Sequence, residues 1–366
     1  MLRVEVDVRM LEAGGIGRYI REIVSPWLSE GWVTCARLYG PRTEVNRWLR
    51  SIEPRVDVEV VPWSDPVYSP RAQLRWSQLS RERGRWQPDV SFFPHFDAPV
   101  LSHPRPSLVT VHDMIHLRVA SAFPWWKRRL AATLIRAIGR RTDQIVTVSE
   151  HSRRDLLEFL GADAPSVRVV RNGVSDIFTP GPSGTTSDPY ILVVGPHKQH
   201  KNLKLAAQVL DRLPREEGWR LVAVGPDDGA RHELAREAGS LTLASRIETP
   251  GPVSDDELRT LYRQARVVLV PSILEGFGLT ALEARACGAR ALAPDVPWAQ
   301  ELRNWGVELV HGWDPERWMQ AVRTPGHLTP GSAPPSHTLP RWADASRSML
   351  QLLEQVADRS ALGQRA

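Results

Sequence analysis

What most limits the fold of this chain is a rhythm. Short, nearly continuous runs rich in Val, Ile and Leu recur from end to end, with longer amphipathic stretches between them. "RVEVDVRM", "VTCARLYG", "VDVEVVP", "DVSFFP", "SLVTVHD", "QIVTVSE" and "VRVVRNGV" occupy the first half; "YILVVGP", "RLVAVGP", "SRIETPG", "VVLVPS", "RALAPD" and "GVELVH" occupy the second. A strand buried on both faces reads as an unbroken apolar run, whereas a strand with one wet face alternates. The pattern therefore predicts an α/β chain in which parallel sheets are covered by helices on both faces. One helix start is legible in detail: in "VSDDELRTLY", Ser254 and Glu257 have the spacing of a capping box.

At 366 residues the chain is long for one core and comfortable for two domains. "TPGPSGTTSDP" (179–189) has the composition of a linker. The expected division is a domain over 1–180, a linker over 181–189 and a second domain over 190–340. A final amphipathic helix over 341–366 is able to pack on either domain. Within the second domain the Pro- and Ser-rich stretch 324–341 reads as a long surface loop.

Composition narrows the setting. Two cysteines, Cys35 and Cys287, supply neither a disulfide framework nor a zinc quartet, so a reducing compartment is the default. No apolar run approaches the roughly 18–20 residues of a membrane span, and "MLRVEVDVRM" reads as a strand rather than a signal peptide. The expectation is a cytoplasmic protein. The formal net charge of +5 is unevenly placed: residues 71–141 hold 13 Lys and Arg against 4 Asp and Glu. Such an excess points to an anionic partner. Nucleic acid is disfavoured, since no recognised module accompanies the charge. "FPWWKRRLAATLIRAIGRR" (123–141) offers basic and apolar faces with Trp125 and Trp126 at one end, the pattern of an interfacial helix at an anionic membrane.

Chemistry is expected beyond the carboxyl ends of the strands, where open parallel sheets bind ligands. "VVLVPS" is followed there by "ILEGFG" and then by the helix "LTALEARACG". Gly276 and Gly278 permit a tight turn and a close backbone approach. The start of the helix offers free N–H groups and a positive dipole end to an anion. Glu275 precedes the helix and Glu283 lies about one turn into it. An anion site flanked by two carboxylates able to bind hydroxyls has the shape of a nucleotide-diphosphate sugar.

On these residues the chain resembles the retaining glycosyltransferases of the GT-B fold, family 4, also called group 1. "EGFGLTALEA" is similar to the family's Glu-x7-Glu signature. "GGIGRYIREI" (14–23) resembles its N-terminal glycine loop, and "VTVHDMIHLR", "VTVSEHSRRDLLEFLG" and "VRVVRNGVSDIF" its mid-domain blocks. "YILVVGPHKQHKNL" (190–203) resembles the loop opening its second domain. The resemblance implies two Rossmann-like domains facing a central cleft, with the donor held mostly by the second and the acceptor by the first.

The resemblance also implies roles. Glu275 would contact the donor sugar, Glu283 the ribose, and the backbone after Phe277 and Gly278, at Leu279 and Thr280, the diphosphate. His197 and Lys201 would face the leaving diphosphate; the family usually has arginine at the first of these, so Lys198 or Arg18 could supply the missing charge. His112 would lie near the donor sugar and Gly14, Gly15 and Gly17 would form the glycine loop. His112, Glu275 and Lys201 are the expected catalytic residues. No cofactor and no metal are implied, since no Asp-x-Asp ends a strand. The expected activity is metal-independent, retaining hexosyl transfer. GDP-mannose is the first donor expected, and a saccharide or lipid-linked acceptor in polysaccharide or glycoconjugate assembly is the second substrate. The alternatives are a non-transferring enzyme of the same fold, an epimerase or phosphorylase, and a catalytically silent nucleotide-binding module.

Overall fold

Each of the apolar runs forms a strand. The computed structural model describes residues 1–81, 86–161, 164, 166–181, 189–225, 230–324 and 339–363. Most of the expected linker (182–188) and of the expected loop (325–338) lies outside the described residues. The chain divides into two compact units. The first comprises 1–117, 124–172 and 342–366; the second comprises 118–123 and 173–341. The boundary thus falls before the linker expected at 181–189. The reason is local: Val174 N–H donates to Pro340 O at 2.8 Å, and Val174 bridges Arg341 in parallel, tying 173–181 into the second unit.

The strands of the first unit are β1 (Arg3–Asp7), β2 (Cys35–Gly40), β3 (Asp57–Pro62), β4 (Val90–Phe93), β5 (Ser107–Thr110), β6 (Gln144–Thr147) and β7 (Val167–Val169). They form one parallel sheet in the order β3-β2-β1-β4-β5-β6-β7. Its helices up to β7 are α1 (Gly14–Ser29), α2 (Arg42–Ile52), α3 (Pro70–Arg81), α4 (Ile115–Arg118), α5 (Trp125–Arg141) and α6 (Glu150–Leu160). The second unit holds β8 (Tyr190–Val194), β9 (Arg220–Val224), β10 (Ile247–Gly251), β11 (Val267–Leu269), β12 (Ala291–Pro294) and β13 (Glu308–Val310). These also pair in parallel, in the order β10-β9-β8-β11-β12-β13. Its helices are α7 (Leu203–Arg212), α8 (Ala230–Glu237), α9 (Asp255–Gln264), α10 (Leu279–Ala286) and α11 (Pro315–Arg323). The last helix, α12 (Trp342–Gly363), belongs to the first unit.

The sequence accounts for the packing. β4, β5 and β6 are buried at every position, as their unbroken apolar pattern requires. α1 buries Tyr19, Ile20, Ile23, Val24, Trp27 and Leu28, a stripe at helical spacing. α12 lies against that helix: Ser346 Oγ donates to Ile23 O at 2.7 Å, and Trp27 Nε1 donates to Ser346 O at 3.3 Å. In the second unit Ser254 and Glu257 form the capping box that opens α9. Among the described residues no helix is long and apolar enough to cross a membrane.

Two glycines at the start of α1 differ in what they permit. A Cβ on Gly17 would lie 2.1 Å from Leu11 O and 2.8 Å from Leu11 C, both backbone atoms that cannot swing aside. A Cβ on Gly15 would meet nothing within 4 Å. Alanine is the better helix former by about 0.8–1 kcal/mol, so the two substitutions are expected to move stability in opposite directions. Gly17→Ala should cost about 1–3 kcal/mol, the usual range for overpacking. Gly15→Ala should leave stability unchanged or raise it. Urea denaturation of both variants measures this, and equal losses would show that the contact with Leu11 does not decide the residue.

Candidate active site

In the second sheet, β8 leads outward through β9 to β10 on one side, and β11 begins the other half on the opposite side. The strand order reverses between these neighbours, the place on the carboxyl edge where open parallel sheets bind ligands. Lys201 closes the short turn Gln199–Lys201 after β8, and Glu275 sits in the loop after β11. The loops are bound to each other by Ile273 N–H donating to His200 O at 2.7 Å. Across them Lys201 Nζ donates to Glu275 Oε1 at 2.6 Å, with the two side chains 19% and 14% exposed. Ser272 Oγ donates to the same oxygen at 2.6 Å. Among the described residues both contacts of this carboxylate fall on Oε1. An ammonium has three donors, so Lys201 keeps capacity for an anion.

α10 starts beside this pair. Gly278 is its N-terminal cap with φ +86°, a left-handed conformation that disfavours any side chain. A Cβ there would also come within 3.1 Å of Leu302 and Trp298. Phe277 is buried and packs edge-on to Trp305 at 6.1 Å, anchoring the loop, while Gly276 beside it is half-buried. The first intrahelical turn is closed by Ala281 N–H to Gly278 O. The amides of Leu279 and Thr280 lie in the first turn, where a helix has no carbonyl to offer them. Glu283 is buried, 6% exposed, and its Oε2 accepts from the buried Tyr262 hydroxyl at 3.0 Å. Arg285, two positions on, donates to Ala289 O at 2.7 Å.

His197 does not join the Lys201–Glu275 pair. Its Nδ1 lies 3.4 Å from Glu233 and its Nε2 3.5 Å from Glu237, both on α8. Lys198 is exposed in the same loop. Two residues absent from the sequence reading take part in this unit, Ser272 and Tyr262. Ser272 was legible as the last residue of "VVLVPS"; Tyr262, on α9, has no local signal.

The remaining expected residues belong to the first unit. Gly14, with φ +49°, opens α1, and the half-buried Arg18 lies on it. His112 follows β5; its Nε2 donates to Pro94 O at 2.8 Å, which fixes the neutral tautomer with Nδ1 as an acceptor. Burial pushes its pKa down to about 4, opposed by the bond to Pro94. The ring stands edge-on to Tyr19 at 4.6 Å, and the Tyr19 hydroxyl is 3.0 Å from Thr110 Oγ1. At neutral pH this histidine is a hydrogen-bonding group and not a cation.

Comparison with known proteins agrees with this architecture. Residues 13–178 match the family described as Glycosyltransferase Family 4, and residues 179–323 the family described as Glycosyl transferases group 1. The D-inositol 3-phosphate glycosyltransferase of Xylanimonas cellulosilytica is 30% identical over 69% of this chain and 67% of its own length. That of Kineococcus radiotolerans is 35% identical over 61% of this chain and 52% of its own, so the matches span about half to two thirds of these relatives. The crystal structure of Anabaena Alr3699/HepE in complex with UDP and glucose superposes over 100% of both chains with a TM-score of 0.68 at 16% identity. With two parallel-sheet units of the GT-B type and both halves matched in order, the chain belongs to the group 1, family 4 glycosyltransferases.

Proposed function

We propose that this chain transfers a hexose from a nucleotide-diphosphate sugar to a hydroxyl of a saccharide or lipid-linked acceptor, with retention at the anomeric carbon. The observation that carries the reading is the Lys201–Glu275 pair at the strand-order reversal between β8 and β11, beside the amide-bearing start of α10. In the transfer, the bond from the anomeric carbon to the β-phosphate oxygen breaks and the acceptor oxygen bonds to the same carbon on the same face. The acceptor proton passes to the departing diphosphate oxygen. Positive charge grows on the sugar and negative charge on the diphosphate. Lys201 and the amides of Leu279 and Thr280 oppose the second, and Glu275 holds sugar hydroxyls beside the first. Donors fixed before the reaction stabilise such charge without reorganising. GDP-mannose is the first donor proposed, and a UDP-hexose is the second arm of any donor panel.

The proposed donor side consists of a lysine and backbone amides, which neutralise the diphosphate without a divalent ion. Turnover of the donor selected from that panel is expected to persist in EDTA. Loss of turnover on chelation, restored by magnesium or manganese, would overturn this assignment to Lys201 and α10.

The two glutamates divide the work. A ribose contact at Glu283 is the same in the ground and transition states, so its loss acts on binding. A contact from Glu275 to the sugar strengthens as charge develops. Glu275→Ala is expected to keep nucleoside-diphosphate affinity and to lower kcat by roughly a hundredfold. Glu283→Gln should instead weaken nucleoside-diphosphate binding and raise the donor KM. Calorimetry with GDP and UDP, together with steady-state kinetics, separates the two; parallel losses in both variants would refute the division.

A lipid-linked acceptor would explain the basic region. α5 buries Ala131, Leu134, Ile135 and Ile138 on one face. Trp125 and Trp126 stand 70% and 52% exposed at its start, with Lys127, Arg129, Arg136 and Arg140 exposed along it. The first turn carries no acidic residue, so its cations oppose the helix dipole at a cost of about 0.3–1 kcal/mol each. An anionic surface offsets that cost. Sedimentation with liposomes is expected to show binding to anionic vesicles that weakens with salt, and equal binding to neutral vesicles would refute a charge-driven contact.

A further inference from the structure

Under the donor reading above, Glu283 meets the ribose, and what holds Glu283 lies on α9. That helix is fixed at both ends. The Ser254–Glu257 capping box opens it, and the Tyr190 hydroxyl of β8 donates to Leu261 O in its last turn at 2.7 Å. Residues four apart share a face of a helix, and α9 uses two such pairs. Leu258 and Tyr262 turn inward and are buried. Arg259 and Arg263 hold the segment 177–180. Arg259 Nη1 donates to Ile177 O at 3.4 Å, and Arg263 donates from Nε to Thr179 O at 2.8 Å and from Nη2 to Pro180 O at 3.1 Å.

The held segment supplies Phe178, which is buried and stands edge-on to Tyr262 with the ring centroids 5.7 Å apart. Tyr262 is 0% exposed. Its ring is thus fixed by Phe178, and its hydroxyl donates to Glu283 Oε2 on α10 at 3.0 Å. A glutamate side chain has several rotatable bonds, and holding it in one geometry removes rotamer freedom. With a hydrogen-bond donor already in place, that freedom is lost on folding and not on binding, and such pre-organisation raises affinity. A phenol does this without cancelling the charge of the carboxylate. An ionised carboxylate has about four acceptor positions, and one donor takes one of them.

We propose that Tyr262 is a positioning residue for donor binding: its hydroxyl sets Glu283 in the geometry that accepts from ribose hydroxyls, and Phe178 keeps that hydroxyl in place. The inference rests on the transferase reading and on the ribose role of Glu283. It adds a residue that acts through the carboxylate, since Tyr262 has no exposed surface with which to meet a ligand. The consequence is selectivity. The site tells a ribonucleotide from one without ribose hydroxyls to the extent that Glu283 is held. A bond that only satisfied two buried groups would cost stability when removed and leave that preference untouched.

The test uses the full chain with GDP, UDP and their dideoxy counterparts, which lack both ribose hydroxyls. Calorimetry on the wild-type chain is expected to show the tighter-binding nucleotide preferred over its dideoxy counterpart by about tenfold or more, as suits hydrogen bonds to a charged group. In Tyr262→Phe this preference should fall by about threefold or more, through weaker binding of the ribonucleotide, while dideoxy affinity stays within about twofold. The donor KM should rise more than kcat falls. Added to Glu283→Gln, Tyr262→Phe should change the preference no further, because both act on one contact. If Tyr262→Phe does not fold, Phe178→Leu, which loosens the ring and keeps the hydroxyl, is held to the same criterion. The proposal is overturned by a folded variant with unchanged preference, by equal losses for both nucleotides, by additive losses in the double variant, or by loss of the fold in both Tyr262→Phe and Phe178→Leu. Binding without ribose preference in the wild-type chain would remove the ribose role of Glu283 and the proposal with it. Failure to bind either GDP or UDP would instead overturn the transferase reading itself.

Discussion

Strands that run parallel all end on one side, and the loops that carry Lys201 and Glu275 are placed by that constraint. Each sheet sends its loops to a single edge. A parallel sheet can reverse its strand order at one place, and open sheets bind ligands there. The chain does this twice, between β8 and β11 and between β1 and β4. Lys201, Ser272 and Glu275 gather at the first, and Asp7, Arg9, His95 and Asp97 at the second.

The two places bury charge differently. Lys201 and Glu275 are mostly covered but retain some contact with water. Arg9 and Asp97 are almost wholly withdrawn from water, and their mutual attraction has to offset the loss of hydration. The aromatic face of Trp63 helps, as does the second carboxylate of Asp7.

The parallel fold was legible because buried strands carry an unmistakable apolar signature; "VSFF" and "SLVT" are buried at every residue, as they read. The capping box of Ser254 and Glu257 was equally plain, since its partners are three residues apart. The Glu275 loop showed itself because its glycines, its carboxylate and the start of α10 are contiguous. The direction in which His197 points was not legible, because Glu233 and Glu237 lie far along the chain. Neither was the meeting of Arg9 with Asp97: the two come from separate segments, and no spacing links them. The division between units also escaped, because Val174 is fixed by Pro340, a partner 166 residues away. Local grammar reveals elements and contiguous motifs, and partners brought together by topology stay hidden.

α12 has a consequence for how the protein is made. Its Ser346 and Trp342 sit within the first unit, against Ile23, Trp27 and Tyr19, all near the opposite end of the chain. The first unit therefore cannot be completed when residue 172 leaves the ribosome, although its sheet has by then been synthesised. At about 5–20 residues per second, the stretch up to 342 takes on the order of ten seconds or more to emerge. During that time the apolar flank of α1 that α12 covers lies open to water. The half that begins first is finished last.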